Sequence, residues 1–276
     1  MIDNPRSPRV RAAAKLAKRS QRAETGLFLV EGPQAVDEAV RTRPELVREI
    51  FVTPAADDRH RALLDTARAA GIRVEHVSDA VLAVIADTVT PQGMVAVCAL
   101  FPTGLDEVIA RGPRLVAVLE EVRDPGNAGT IIRVADAAGA DAVILTGSSV
   151  DPFNPKAVRA TTGSIFHIPV VVGVSLESAL DRLRASGIRV LAADVSGEDL
   201  LGVRAAGELD GPTAWLFGNE ARGLTSEQLE LADRPVVVPI YGAAESLNLA
   251  TAAAVCLYES AFAQRSGSAP ASAVAE

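Results

Sequence analysis

Three short stretches of the chain set polar side chains beside glycines in a way that could serve a reaction. Asp124-Pro125-Gly126-Asn127-Ala128-Gly129 precedes a predicted helix that carries Arg133. Trp215–Thr225 (WLFGNEARGLT) runs from an apolar strand into Gly218, Asn219 and Glu220, then through Gly223 to a helix capped by threonine. Pro239–Ala254 (PIYGAAESLNLATAAA) passes through Ser246, Leu247 and Asn248 into small apolar residues that read as a buried helix. A loop that ends at a helix start offers unpaired backbone N–H groups to an electron-rich ligand. Asn127 and Ser246 stand where caps for two of those helices belong. Each stretch alone also fits an ordinary loop-to-helix junction, and Arg133 with Asp136, three residues on, could be a purely structural ion pair.

Other chemistries find no support. Neither a GxGxxG fingerprint nor a P-loop accompanies these loops, so a standard dinucleotide site and a nucleotide hydrolase are both disfavoured. No G-x-S-x-G elbow marks a serine hydrolase. His60, His76 and His167 are scattered, and Cys98 and Cys256 sit far apart in apolar runs. That pattern gives no metal-ligand spacing and no disulfide framework; the cysteines read as buried thiols in a reducing compartment. The basic N-terminus lacks the apolar core of a signal peptide, and no apolar run reaches membrane-spanning length. The expectation is a cytoplasmic protein with no membrane and no metal.

The elements that must position the three loops follow from composition and periodicity. A chain of 276 residues, 49% apolar but only 4% aromatic, suits buried parallel strands covered by helices of small residues. The net charge of −8 hides a local asymmetry, because residues 4–24 carry Arg6, Arg9, Arg11, Lys15, Lys18, Arg19 and Arg22 against Glu24 alone. This predicted helix is either a solvated face or a patch that meets phosphates. Gly26–Glu31, Val47–Thr53, Ile72–Val77 and Gly93–Leu100 read as strands, with helices at Pro33–Arg41, Asp57–Ala70 and Ser78–Ala86 between them. Together residues 1–101 predict a small α/β domain, within which Glu31 ends a strand where loops gather and could contact RNA. Residues 102–113 read as a linker. A second βα series over 114–265 places strands at Leu115–Leu119, Ala142–Leu145, Pro169–Val172, Ile188–Ala193, Ala214–Phe217 and Val236–Val238. Helices are predicted at Ala128–Ala138, Pro155–Ala160, Leu176–Ala185, Ser226–Leu231 and Ser246–Gln264. This alternation predicts a mainly parallel, doubly covered sheet. The Ser, Ala, Gly and Pro residues of 266–276 read as a disordered tail.

DPGNAGTIIRVADAAGADAVIL, LFGNEARGLT and VPIYGAAESLNLATAAAVCLYE resemble, in order, the three signature motifs of the SpoU/TrmH branch of the SPOUT methyltransferases. KAVRATTGSIFHIPV, between the first two, is similar to the usual family sequence there. FLVEGPQAVDEAV resembles the L30e-like substrate-binding domain that precedes the methyltransferase domain in rRNA-modifying members. The resemblance covers nearly the whole chain apart from the tail.

It implies S-adenosylmethionine-dependent methylation of a ribose 2′-hydroxyl of rRNA, 23S rRNA in the first instance, by a homodimer. It also implies a SPOUT α/β domain with a parallel sheet and a C-terminal trefoil knot, which periodicity could not reveal because knots are so rare. On the same grounds the cofactor should lie against Leu191, Ala192, Gly218, Asn219, Val238, Ile240, Leu247 and Asn248. Arg133 matches the catalytic arginine of the family, Asn127 its neighbour, and Glu220 and Ser246 polar positions near the methyl group. Arg6, Arg9, Arg11, Lys15 and Glu31 are the expected RNA-binding residues. Ile240 and Tyr241 depart from the Met and small residue common in relatives, which bears on the shape of the adenine pocket. A tRNA methyltransferase of the same branch and a non-catalytic RNA-binding or ribosome-assembly factor are the alternatives, with a Rossmann-type oxidoreductase a distant third.

Overall fold

In the computed structural model, which describes residues 1–266, the strands coincide with the runs of Val, Ile, Leu and Phe, and glycine or proline punctuates the turns. In chain order the elements begin α1 (Pro8–Lys15), α2 (Arg19–Thr25), β1 (Leu27–Glu31), α3 (Pro33–Thr42) and β2 (Val47–Val52). Then come α4 (Pro54–Arg59), α5 (Arg61–Ala69), β3 (Arg73–His76), α6 (Asp79–Ile85) and β4 (Met94–Ala99). The chain continues through α7 (Leu105–Ala110), β5 (Leu115–Glu120), α8 (Pro125–Ala138), β6 (Ala142–Thr146), α9 (Pro155–Thr161) and β7 (Val170–Val174). It closes with α10 (Leu176–Ala185), β8 (Arg189–Asp199), α11 (Leu200–Ala205), β9 (Thr213–Phe217), α12 (Ser226–Glu230), β10 (Arg234–Val237) and α13 (Leu249–Arg265). The expectation for the tail lies outside the described residues, save Ser266, which caps α13.

The chain divides into two compact units that do not follow a simple sequential split: Pro125–Arg133 and Val150–His167 group with Met1–Pro102, and the remainder forms the second. In the first unit the strand order is β1-β4-β2-β3, antiparallel except for the β2–β3 pair. Its core gathers Val10 and Ala13 of α1 and Leu16 just after it with Leu29, Phe51, Val81, Leu82, Ile85, Val95 and Val97. Phe28 meets Phe153 edge-on at 5.0 Å, and Phe101 stacks on Phe166 at 5.5 Å, which supplies ring packing in a chain otherwise poor in aromatics.

The second unit carries an all-parallel sheet in the order β10-β8-β9-β5-β6-β7, as the βα alternation predicts. Its central strands β9, β5 and β6 are buried along their whole length, so they read as continuous apolar runs rather than alternating ones. The helical turns expected within residues 102–113 are α7, whose Leu105 and Val108 sit in the same core as Val116, Val118, Leu180 and Leu216. Helix α13 is anchored to the sheet where Trp215 Nε1 donates to Ser260 Oγ at 2.8 Å, both side chains being fully buried.

Several boundaries differ from expectation for identifiable reasons. The basic segment is two helices, because Lys18 is extended (φ −90°) and turns the chain so that Arg22 can point inward. The Arg22 guanidinium then donates to the carbonyls of Leu16 (2.8 Å) and Ala17 (2.9 Å), which α1 leaves unpaired, and pairs with Asp151 at 2.6 Å. Residues 57–70 likewise break at His60 into α4 and α5. Helix α8 begins at Pro125 rather than Ala128, since proline is favoured at a first helical position; Asn127 therefore lies inside the first turn and is not the cap. Helix α13 begins at Leu249, capped by Asn248 instead of Ser246: the Asn248 side chain accepts from the N–H groups of Ala250 (2.9 Å) and Thr251 (3.3 Å). Strand β8 runs past Ala193 to Asp199, pairing with β10 across a register shift at Pro235/Val236.

Candidate active site

The parallel register carries the distant loops of the second unit to one edge. Leu119 of β5 pairs with Phe217 of β9, Leu216 of β9 with Ala192 of β8, and Ala192 with Pro235 of β10. β5 and β9 therefore reach their carboxyl ends together, while β8 runs on from Ala192 to Asp199, which pairs with Val237 at the end of β10; carboxyl ends of strands are where open α/β sheets bind ligands. Leu191 and Ala192 are buried in β8, Gly218 is buried one residue beyond β9, and Val238 follows directly on β10. Ile240, Ser246, Leu247 and Asn248 are exposed on the segment that leads from β10 to α13.

The loop after β9 is closed by its own backbone. Asn219 N–H donates to Gly223 O at 3.1 Å, and Gly223 N–H returns a bond to Asn219 O at 2.9 Å. A Cβ on Gly218 would stand 2.5 Å from the Gly223 carbonyl carbon, so only glycine allows the two backbones so close. Gly223 itself has φ +67°, a left-handed conformation that glycine adopts without strain.

Two side chains of this loop reach across to the end of β5. Asn219 Nδ2 donates to Glu121 O at 2.9 Å, and the Glu220 carboxylate accepts the backbone N–H groups of Asp124 (2.9 Å) and Arg123 (3.2 Å). Glu121, held at φ +52°, is ion-paired with Arg222, and its unusual backbone marks stored strain. Glu120 is buried and receives the Thr146 hydroxyl and Gln228 Nε2 (3.0 Å). Glu220 thus fixes the two residues that feed directly into Pro125 and α8. Asn127 is half-buried in the first turn of α8 and Arg133 exposed on its third.

The expected RNA-binding cations separate into two kinds. Arg6, Arg11 and Lys15 are exposed. Arg9 is engaged instead: it binds Glu49, pairs with Glu75 at 2.9 Å and lies 5.3 Å from the Phe51 ring centroid. Glu31 is buried, its side chain 5% exposed, and pairs with Arg159 at 2.8 Å. Burial pushes its carboxyl pKa up, more than Arg159 and the Asp87 N–H pull it down. Arg159, Asp151, Glu121 and Gln228 escaped sequence reasoning, because each is made important only by a partner 98 or more residues away in the chain.

Residues 114–258 match the SpoU rRNA Methylase family, and residues 29–103 match the RNA 2′-O ribose methyltransferase substrate-binding family. The chain belongs to the SpoU rRNA methylase family. It is 37% identical over 258 residues to the 23S rRNA (guanosine(2553)-2′-O)-methyltransferase of Bacillus subtilis, covering 93% of this chain and 97% of that one. The AdoMet-bound rRNA methyltransferase from Sinorhizobium meliloti superposes with a TM-score of 0.82 at 31% identity, over 98% of each chain. The SpoU methyltransferase AviRb from Streptomyces viridochromogenes, in complex with AdoMet, gives 0.81 at 32% identity, over 95% of this chain and all (100%) of that one. The SpoU family assignment covers both the sheet edge and the N-terminal unit, and the relatives bound to AdoMet share the whole architecture.

Proposed function

We propose that this SpoU-family chain transfers a methyl group from S-adenosylmethionine to a ribose 2′-hydroxyl of 23S rRNA, using the sheet edge at 218–220, 238–240 and 246–248 together with Asn127 and Arg133. The observation that supports this reading is the register that ends β5 beside β9 and β8 beside β10, with Ala192 buried in β8 next to Leu216 and Glu220 accepting the Asp124 N–H just before α8.

The residues present fit the cofactor. Ile240 and Leu247, each 38% exposed in an otherwise polar segment, offer an apolar shelf for a purine ring. Backbone groups at Gly218 and Val238 offer partners for its polar edges, and Glu120, Glu121 and Glu220 make an acid-rich edge that suits a sulfonium cation. The cofactor, when bound, supplies an already activated methyl group, so the protein has mainly to bind and orient. The ribose hydroxyl is a weak nucleophile, and aligning it and easing loss of its proton is the remaining task. A guanidinium keeps its proton at neutral pH, so Arg133 serves as a clamp on the adjacent phosphate and a stabiliser of the developing alkoxide, and the proton leaves to a phosphate oxygen or water. Asn219 holds the end of β5 and Glu220 the residues that lead into α8.

Three further features belong to this reading. Residues 1–101 serve as the RNA-binding part, 102–113 as a linker and 114–265 as the catalytic part. The chain acts as a homodimer, supported by Phe262 of α13, 53% exposed and tilted against Tyr258 at 5.6 Å, which leaves apolar surface to cover. The polypeptide after β10 is threaded as a trefoil knot, supported by the return of β10 to the outer side of β8. Among the described residues no helix is long and apolar enough to cross a membrane, which agrees with a cytoplasmic site of action.

The test is to incubate the full chain with labelled S-adenosylmethionine and either 23S rRNA or bulk tRNA, then map the label by alkaline hydrolysis. An alkali-resistant linkage in 23S rRNA is expected. Label confined to tRNA would select the tRNA enzyme of the same branch, and no transfer despite cofactor binding would select a non-catalytic RNA-binding factor.

A further inference from the structure

Within the first unit, Glu31, Thr88, Thr90, Gln92, Arg159 and Thr162 surround a cavity of about 190 Å³. Clefts for drug-sized ligands run to roughly 300–1,000 Å³, so this one admits a single ring system and not a whole cofactor. Its chemistry is specific. Glu31 Oε2 accepts Arg159 Nη1–H at 2.8 Å and the Asp87 N–H at 3.3 Å, while Oε1 takes no hydrogen bond from any described residue. That oxygen stays accessible and can accept a hydrogen bond from an occupant of the cavity. Thr162, which ends α9, is held at φ +50°, a left-handed conformation uncommon for threonine. Such outliers persist where the surroundings over-determine a shape, and they gather at ligand sites.

A free phosphate is a poor occupant, because the carboxylate neutralises Arg159 and would repel a second anion. A base suits the cavity better. Unstacked RNA bases are read through their Watson–Crick edges and can lie on an arginine plane. An acceptor (Glu31 Oε1) beside donors (the Arg159 guanidinium, the Gln92 amide) matches an edge in which a ring N–H adjoins a carbonyl. Guanine and uracil have that edge; adenine and cytosine carry a lone pair on the corresponding ring nitrogen. We propose that this cavity receives one unstacked guanine or uracil of the RNA substrate, its ring N–H on Glu31 Oε1 and its carbonyl toward Arg159. The proposal rests on the RNA-methyltransferase reading and adds where, and by which edge, the RNA is read.

The experiment uses the full chain with its cofactor site saturated by S-adenosylmethionine, and records saturation-transfer NMR with GMP, UMP, AMP and CMP. GMP and UMP should bind, AMP and CMP about tenfold more weakly, the difference one lost base-edge contact makes. Inorganic phosphate should displace neither. Glu31→Gln should erase the preference, and Thr90→Trp, a change at an exposed rim position, should block all four. Equal signals from the four nucleotides, displacement by phosphate, no signal at all, or indifference to both substitutions would each overturn the proposal. Filter binding of 23S rRNA by the unmodified chain separates the two levels: rRNA bound and methylated without the nucleotide pattern sinks only the cavity, whereas no rRNA binding sinks the parent reading.

Discussion

Arg133 stands exposed on α8, so its replacement tests chemistry with little disturbance of the fold. Lysine keeps the charge but not the planar fork that grips a phosphate in two places. Arg133→Lys is expected to lower single-turnover methyl transfer about 100-fold while S-adenosylmethionine affinity, read by calorimetry, stays within error. Full turnover in that variant would remove any special role for the guanidinium. Glu220 makes the contrasting case. If it acts by accepting the backbone N–H groups of Arg123 and Asp124, Glu220→Gln, which keeps one acceptor oxygen, should retain much more activity than Glu220→Ala. Were its carboxylate a proton acceptor, the two variants would be equally poor. The cysteines contribute nothing to reactivity: burial pushes both the Cys98 and Cys256 thiols far up, and native-state labelling by a thiol reagent should be negligible until denaturant opens the chain.

Two elements carry testable amounts of stability. Asn248 caps α13 and also faces the candidate cofactor loop, and the two duties separate by substitution. Asn248→Ala should cost about 1 kcal/mol in urea unfolding and weaken cofactor binding. Asn248→Asp restores the cap because its carboxylate accepts the same N–H groups; if cofactor binding stays weak in that variant, Asn248 does more than cap. At the other end, Arg22 is 2% exposed and pairs with Asp151, 16% exposed. Arg22→Met strands a largely buried carboxylate and the carbonyls of Leu16 and Ala17, and is expected to destabilise by about 3 kcal/mol. The double variant with Asp151→Asn should lose less than Arg22→Met alone, since the orphan charge is gone.

At the scale of the molecule, a chain with a net charge of −8 binds a polyanion only through local cations. Neutralising Arg6, Arg11 and Lys15 together should weaken rRNA binding and flatten its salt dependence by about one slope unit per lost phosphate contact. Arg9→Ala should instead lower stability, because its guanidinium is committed to Glu49 and Glu75. That network also sets an acid limit. Burial pushes the Glu75 carboxyl up, but its hydrogen bond and proximity to Arg9 outweigh this and leave its pKa below the ordinary 4.5. A carboxyl with a lowered folded pKa stabilises at pH values above 4.5 and loses that contribution as pH falls through the folded value. The gap in urea midpoint between the native chain and Glu75→Gln should therefore close below pH 4.5.

The linear order of residues determined the α/β class, the parallel sheet of the second unit and the three loops, because these rest on local periodicity and on glycines whose turns admit little else. Caps at Ser78 and Thr225 were legible for the same reason: a hydroxyl reaches an N–H three residues on. Only tertiary structure decided what the polar residues do. Arg9, Arg22 and Lys15 look alike in the chain, yet the first two meet carboxylates 40 and 129 residues away while the third meets solvent. Glu31 and Glu220 likewise became a buried acceptor and a loop clamp through partners at 128 and 96 residues. Electrostatic and hydrogen-bond roles depend on distance in space, and separation along a polypeptide says almost nothing about that distance until the sheet has formed.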